Sequence, residues 1–252
     1  MSTPVTQNPQ AQGTTKKRGK KPVANAGGSF LQRMDRESPA ATESRRIVNH
    51  LLRKESEQLR TILVTSAEAG EGKSTVTAFM AVAAAQYLKK KTLIIDADLR
   101  RPVVADLFGL DQREGLSDWL SRTADKPLID LVKRTELERL HVLTSGANAA
   151  NPGALLEAEA IETLTKECGR VFDLVIIDSP PVMPVTDPLM LAAAADATVL
   201  VIKAGVTQRQ SVRRAYQLLE QAGGRVSGCI LNDVGRTLPS YYSASYYAHP
   251  DS

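Results

Sequence analysis

Two kinds of hydrophobic pattern alternate along the chain. Short runs with a contiguous apolar centre occupy residues 62–64, 92–96, 141–144, 173–178, 197–203 and 226–232 and are rich in Val, Ile and Leu. Runs of that length and composition predict strands of a parallel sheet covered on both faces. Between them, apolar side chains return at helical spacing: after residue 75 (Val76, Phe79, Met80, Val82, Ala83), from 152 to about 167, and over 186–195 and 208–222. A further helix is expected over 42–59, with Ile47, Leu51 and Leu52 on one side and Glu43, Arg45, Arg46, Arg53 and Lys54 on the other. It precedes the first strand, so it packs outside the sheet or against a neighbouring subunit. Residues 103–135 read as short helical pieces and loops anchored by Leu116, Trp119 and Leu120. Strands alternating with helices at this rhythm predict an α/β fold. They form a doubly wound, mostly parallel sheet in one domain, with ligands at the C-terminal edge of the strands.

The pattern fails at both ends. Residues 1–38 are rich in Gln, Thr, Pro, Gly, Ala and Lys and are expected to be a disordered basic tail. Residues 238–252 form a polar, tyrosine-rich tail expected to be flexible, which leaves a folded domain over 39–237 with its N-terminal helix in 39–60. A chain of 252 residues with 42% hydrophobic content buries a full core. Its formal charge of +4 belongs to the N-terminal tail, where residues 1–34 hold six Lys/Arg and no acid. The remainder, with 26 basic and 28 acidic side chains, is about −2. The cluster KKRGKK at 16–21 reads first as a solubilising tail and second as a contact for anionic lipid or nucleic acid. Cys168 and Cys229, without a CxxC spacing, read as reduced packing residues, and three scattered histidines predict no zinc site. No apolar run approaches the roughly 20 residues of a membrane span, and the N-terminus lacks a signal-peptide core. A soluble, cytoplasmic protein is expected, with any membrane contact made through a partner or the basic tail.

The candidate chemistry sits in one stretch, residues 61–75, TILVTSAEAGEGKST. A buried strand, a loop carrying Gly70, Glu71 and Gly72, and a helix opening at Lys73-Ser74-Thr75 form the arrangement that holds polyphosphate. Glycines let backbone N–H groups approach the oxygens, and the helix N-terminus adds positive potential. Lys73 would reach the β- and γ-phosphates and the Ser74 hydroxyl would ligate Mg²⁺. The strict pattern wants Gly where Ala67 stands. Two further strand ends carry acids, Asp96 with Asp98 and then Asp178, placed where the sheet is expected to meet solvent. An isolated strand-end aspartate is often a helix cap, but two such ends after a GEGKST loop fit an NTPase that needs carboxylates near Mg²⁺. Asp98 and Asp178 would serve the metal, and Asp96 would accept a proton from an attacking hydroxyl. Asn232, at the last strand's end, is a candidate adenine contact or a turn residue.

TSAEAGEGKST, LIIDADLRRP, VIIDSPP and the cluster Tyr241, Tyr242, Tyr246 and Tyr247 together make the chain resemble the cytoplasmic kinase domain of the bacterial tyrosine kinases of capsule and exopolysaccharide assembly. LFGLDQREGLSDWL, NPGALL and VTDPLML look like the same family, so the likeness covers about residues 43–247. The resemblance implies a P-loop NTPase fold with Lys73, Ser74 and Thr75 on the phosphates and Mg²⁺ of ATP. It implies Asp96 and Asp98 in the family's extra aspartate motif and Asp178 in its Walker B motif. The family usually has Pro where Ala69 stands, and its ring-forming ExxRxxR motif is met here by Glu43 and Arg46 but not by Asn49. It also implies a separate transmembrane activator, because this chain has no apolar span of its own.

The tail separates a kinase from a plain ATPase. Four of six tyrosines lie within seven residues that hold no charge, whereas Tyr87 and Tyr216 sit among aliphatic residues on helices, as buried tyrosines do. An exposed tyrosine-rich end can enter a neighbour's active site as a phosphoacceptor, holding a ring of subunits that phosphorylation then releases. Two rival readings remain at this level. One is a switch ATPase of the partition or division-site type, which would carry an extra lysine where Glu68 stands. The other is a nucleotide-binding regulatory scaffold without catalysis.

Overall fold

The computed structural model describes residues 30–33, 38–54, 59–124, 126–147 and 151–234. Its seven strands are β1 (Thr61–Ser66), β2 (Thr92–Asp96), β3 (Lys133–Arg134), β4 (Leu140–Leu143), β5 (Leu174–Asp178), β6 (Ala197–Lys203) and β7 (Val226–Asn232). They form one sheet in the order β3-β4-β2-β5-β1-β6-β7, parallel except for β3. The helices are α1 (Phe30–Arg33), α2 (Pro39–Lys54), α3 (Lys73–Gln86), α4 (Val104–Phe108), α5 (Leu116–Leu120), α6 (Ala158–Val171), α7 (Asp187–Ala194) and α8 (Arg209–Gln221). This is the doubly wound, mostly parallel sheet expected from the strand and helix rhythm, and the P-loop NTPase fold that the family resemblance implies.

Strand periodicity divides the core. Ile62 and Val64 of β1, Ile94 of β2, Ile176 of β5 and Val199 and Val201 of β6 face one layer, which α2, α3 and α4 cover. Leu63, Leu93 with Ile95, Val175 with Ile177, and Leu200 face the other, packed by α6, α7 and α8. Successive side chains point to opposite faces, so strands buried on both faces lose the polar–apolar alternation. That is why they read as continuous apolar runs.

Several expectations change. β3 was expected as loop, because two basic residues carry no apolar signature. Antiparallel pairing with β4, Lys133 opposite Val142 and Arg134 opposite His141, makes it a strand. Lys133 Nζ ties it down by donating to the Asp111 carbonyl, to the Glu114 carbonyl at 2.9 Å and to Thr144 Oγ1 at 2.8 Å. The helix expected over 42–59 starts earlier, at Pro39, and is described as far as Lys54. Its most buried apolar residue is Val48, with no exposure, and it packs on α3. α1 lies inside the segment expected to be disordered. The Phe30 ring meets Phe79 edge-on at 5.0 Å and Phe108 at 5.9 Å, and this aromatic anchor gives those few residues an apolar reason to be ordered. The helix expected from 152 is split into a 3₁₀ turn (Pro152–Ala154) and α6. Tyr216 is exposed on α8 rather than buried, because α8 turns Ala215 and Leu219 inward instead. Cys168 is buried, but Cys229 is exposed, because β7 is an edge strand with one poorly covered face.

Candidate active site

β1 runs into a loop whose shape two glycines make possible. Gly70 (φ 82°) and Gly72 (φ 85°) adopt left-handed conformations that side chains disfavour. At Gly72 a Cβ would also lie 2.2 Å from Asn232 Nδ2. Ala67 is not among the residues with positive φ, so the pattern's missing glycine costs the loop nothing there. Glu71 holds the loop from inside. Its buried carboxylate accepts the Glu68 N–H at 2.8 Å and the Thr207 hydroxyl, while its carbonyl accepts the Asn232 amide at 2.9 Å. The β6–α8 connection and the end of β7 therefore fix the phosphate loop.

Lys73 opens α3. Its ammonium meets Asp98 Oδ2 at 3.0 Å and lies 3.4 Å from Ser74 Oγ. Burial opposes this charge, but Asp178, Asp98 and Asp96 outweigh the penalty and hold the lysine above its ordinary pKa. Asp98 Oδ1 in turn accepts the Arg101 N–H at 3.0 Å. Gly70, Gly72, Lys73, Ser74, Thr75 and Asp98 line a cleft of about 570 Å³ together with Pro181 and Pro184.

Asp96 and Asp178 stand directly opposite each other in the β2–β5 register, and neither is exposed. They were expected at the solvent edge; α3 and α4 cover them instead, so they back the cleft rather than line it. Asp96 Oδ2 accepts the Val104 N–H at 3.1 Å, and Asp178 Oδ1 accepts the Thr77 hydroxyl at 3.3 Å. Burial pushes both carboxyls above the usual range. The Asp178 charge reinforces the rise at Asp96, while Lys73 partly offsets it at Asp178. Asp96 Oδ1 and Asp178 Oδ2 have no hydrogen-bond partner.

Three roles escaped the sequence reading, although Arg100 stands within LIIDADLRRP. Thr77 looks like an ordinary helix residue, and Thr207 is a loop residue far along the chain. Arg100 holds the buried Asp187 through Nε at 3.1 Å and Nη2 at 3.4 Å, although Asp187 reads as a helix-start acid. Only the helical position of Thr77, four residues after Lys73, carried a signal. Glu43 and Arg46 pair at 2.8 Å on the exposed side of α2, apart from the cleft. The four tail tyrosines lie outside the described residues.

The ParA family, described as NUBPL iron-transfer P-loop NTPase, matches residues 58–246. Tyrosine-protein kinase YwqD of Bacillus subtilis is 36% identical over 195 residues, which cover 77% of this chain and 80% of that protein. The chain belongs to the bacterial tyrosine-protein kinase family. The tyrosine-kinase domain ETK of Escherichia coli superposes with a TM-score of 0.74 at 31% identity, covering 81% of this chain and 79% of that one. The septum site-determining protein MinD of Pyrococcus horikoshii, complexed with Mg-ADP, gives 0.62 at 25% identity and covers 74% and 76%. For a tyrosine-kinase family member, the donors here suit a hard cation: carboxylate and hydroxyl oxygens, two of them unpartnered. Among the described residues no group of three His, Cys, Asp or Glu could hold a metal by itself. Mg²⁺ would therefore take further oxygens from phosphate and water, as it does in nucleotide sites.

Proposed function

We propose that this protein is an ATP-dependent tyrosine autokinase whose acceptors are Tyr241, Tyr242, Tyr246 and Tyr247 of a second copy. The observation that carries the reading is the cleft in which Lys73, Ser74 and Asp98 meet, with Asp96 and Asp178 behind them, in a chain with a tyrosine cluster. Gly70, Glu71, Gly72, Lys73, Ser74 and Thr75 hold the polyphosphate through backbone N–H groups and the Lys73 ammonium. Ser74, Asp98 and Asp178 would hold Mg²⁺, which when bound would supply positive charge to the polyphosphate and favour ionised carboxylates. The phenolic oxygen attacks the γ-phosphorus, the bond to the β,γ-bridging oxygen breaks to leave ADP, and the phenolic proton passes to Asp96. The unpartnered Oδ1 of Asp96 would receive that proton once positive charge in the site keeps the carboxylate ionised, since burial by itself raises its pKa to about 8.

The protein acts in the cytoplasm, brought to the membrane by a separate transmembrane activator, and regulates polymerisation and export of a capsule or exopolysaccharide. Among the described residues no helix is long and apolar enough to cross a membrane. Self-association through α2, with Glu43 and Arg46, would bring one copy's tail to another's cleft. The switch-ATPase alternative draws on the MinD likeness, but Glu68 stands where its extra lysine would be.

Incubation with Mg-ATP followed by mass spectrometry of the tail tests the reading. Phosphate on the tail that disappears in Lys73→Met is expected. Hydrolysis of ATP with a blank tail, even with an activator's cytoplasmic segment present, would replace it with the switch ATPase.

A further inference from the structure

A second concavity, about 890 Å³, lies along the first half of α8 between Gln208 and Gln217, with Met183 on its rim. Arg209, Arg213 and Arg214 line it, and all three are exposed. None of them is paired with a carboxylate among the described residues. Three guanidiniums within six residues repel one another, and Arg209 and Arg213 are i,i+4 neighbours on one helix face. Arg209 also opens the helix, at the end where the backbone dipole disfavours cations, and the first turn holds no acid. Such local electrostatic conflict, uncompensated within the described fold, fits an anionic occupant.

The occupant's chemistry follows from where the groove lies. Met183 lies on its rim, and Pro181 and Pro184 of the same loop line the nucleotide cleft, so the two concavities adjoin. β7 ends beside β6, with Asn232 paired to Lys203, and the connection from β6 leads straight into α8. The chain thus leaves the described body at Val234, on the sheet edge that bears the groove. Tyr241 lies seven steps along the chain from Val234, an extended reach of about 23 Å at about 3.3 Å per residue. The groove's nine helical steps span about 14 Å.

We infer that this groove docks the phosphorylated tail of the chain, Arg209, Arg213 and Arg214 receiving the aryl phosphates of the 241–247 cluster. Each phosphate brings close to two negative charges and oxygens that guanidinium forks bind in pairs. The unphosphorylated cluster, which carries no charge, has no such claim on the groove. Docking next to the cleft would hold a product tail away from the active site and sort modified from unmodified ends. This inference rests on the proposed phosphorylation of the tail.

Its test does not depend on the protein's own kinase activity. Fluorescent synthetic peptides of residues 235–252, with all four tyrosines phosphorylated or none, are titrated into the full chain carrying Phe at those four positions. The phosphopeptide is expected to bind about tenfold tighter or more. The triple variant Arg209→Gln, Arg213→Gln, Arg214→Gln is expected to lose that preference while keeping Mg-ATP affinity and thermal midpoint. Equal affinity for the two peptides, or a preference that survives in the triple variant, overturns the docking. A wild-type tail left blank after incubation with Mg-ATP and an activator's cytoplasmic segment overturns the kinase reading instead, and the peptide titration separates the two failures.

Discussion

Asp178 and Asp96 sit in register with no solvent exposure and one unpartnered oxygen each, so ionising either costs the fold. Because both native pKa values lie above the unfolded value, the native state binds protons that the unfolded state releases. The stabilisation is complete below the unfolded carboxylate pKa and is lost as pH rises through the native one. Asp178→Asn is therefore expected to raise the thermal midpoint of the nucleotide-free protein by a few degrees at pH 8 and by less at pH 5, while abolishing tail phosphorylation. A calorimetric midpoint that falls equally at both pH values would contradict this. Glu71 makes the opposite case: a buried carboxylate with its hydrogen bonds made. Glu71→Ala takes the acceptor from the Glu68 N–H and from the Thr207 O–H, which keeps only the bond it accepts from Lys203 N–H, at a cost of about 1–3 kcal/mol. Weaker Mg-ATP binding by calorimetry is expected, with Glu71→Gln recovering part of it.

At the scale of elements, the phosphate loop is held by the far end of the sheet as well as by its own glycines. Gly72→Ala meets two separate obstacles, the left-handed φ of 85° and the Asn232 amide 2.2 Å from the new Cβ. Adding Asn232→Ala removes the second but leaves the first, so the double variant is expected to regain only part of the lost nucleotide affinity, read by fluorescent-nucleotide titration. Full recovery would mean that the backbone conformation carries no cost. α2 offers a simpler test. Leu51 is 5% exposed against α3, so Leu51→Ala should lower unfolding free energy by about 2–5 kcal/mol in urea denaturation.

For the molecule as a whole, the exposed face of α2 is proposed for self-association, and its Glu43–Arg46 pair is a surface ion pair at 2.8 Å. Exposed pairs contribute about 0–1 kcal/mol, so reversing Arg46 to Glu should move the monomer's thermal midpoint by less than about 4 °C. Loss of the oligomer in analytical ultracentrifugation is nevertheless expected, because a reversed charge at an interface repels its counterpart. An unchanged oligomer would remove α2 from the assembly.

The sequence by itself determined the strand and helix rhythm, the parallel sheet, the phosphate loop and the three acids. Each rests on a local signal: unbroken apolar runs, a glycine-bearing turn before a lysine, aspartates ending strands. Only the tertiary structure decided that Asp96 and Asp178 face each other in the interior, because strand order and register are set by pairing across more than 80 residues of chain. The same distance hid Thr77 on Asp178, Thr207 and Asn232 on Glu71, and Arg100 on Asp187. It likewise made a strand of Lys133–Arg134, whose pairing with β4 owes nothing to local propensity. Local pattern reports which residues are buried. Which residues meet is fixed only when the chain closes on itself, since a polar side chain's partner contributes nothing to the periodicity around it.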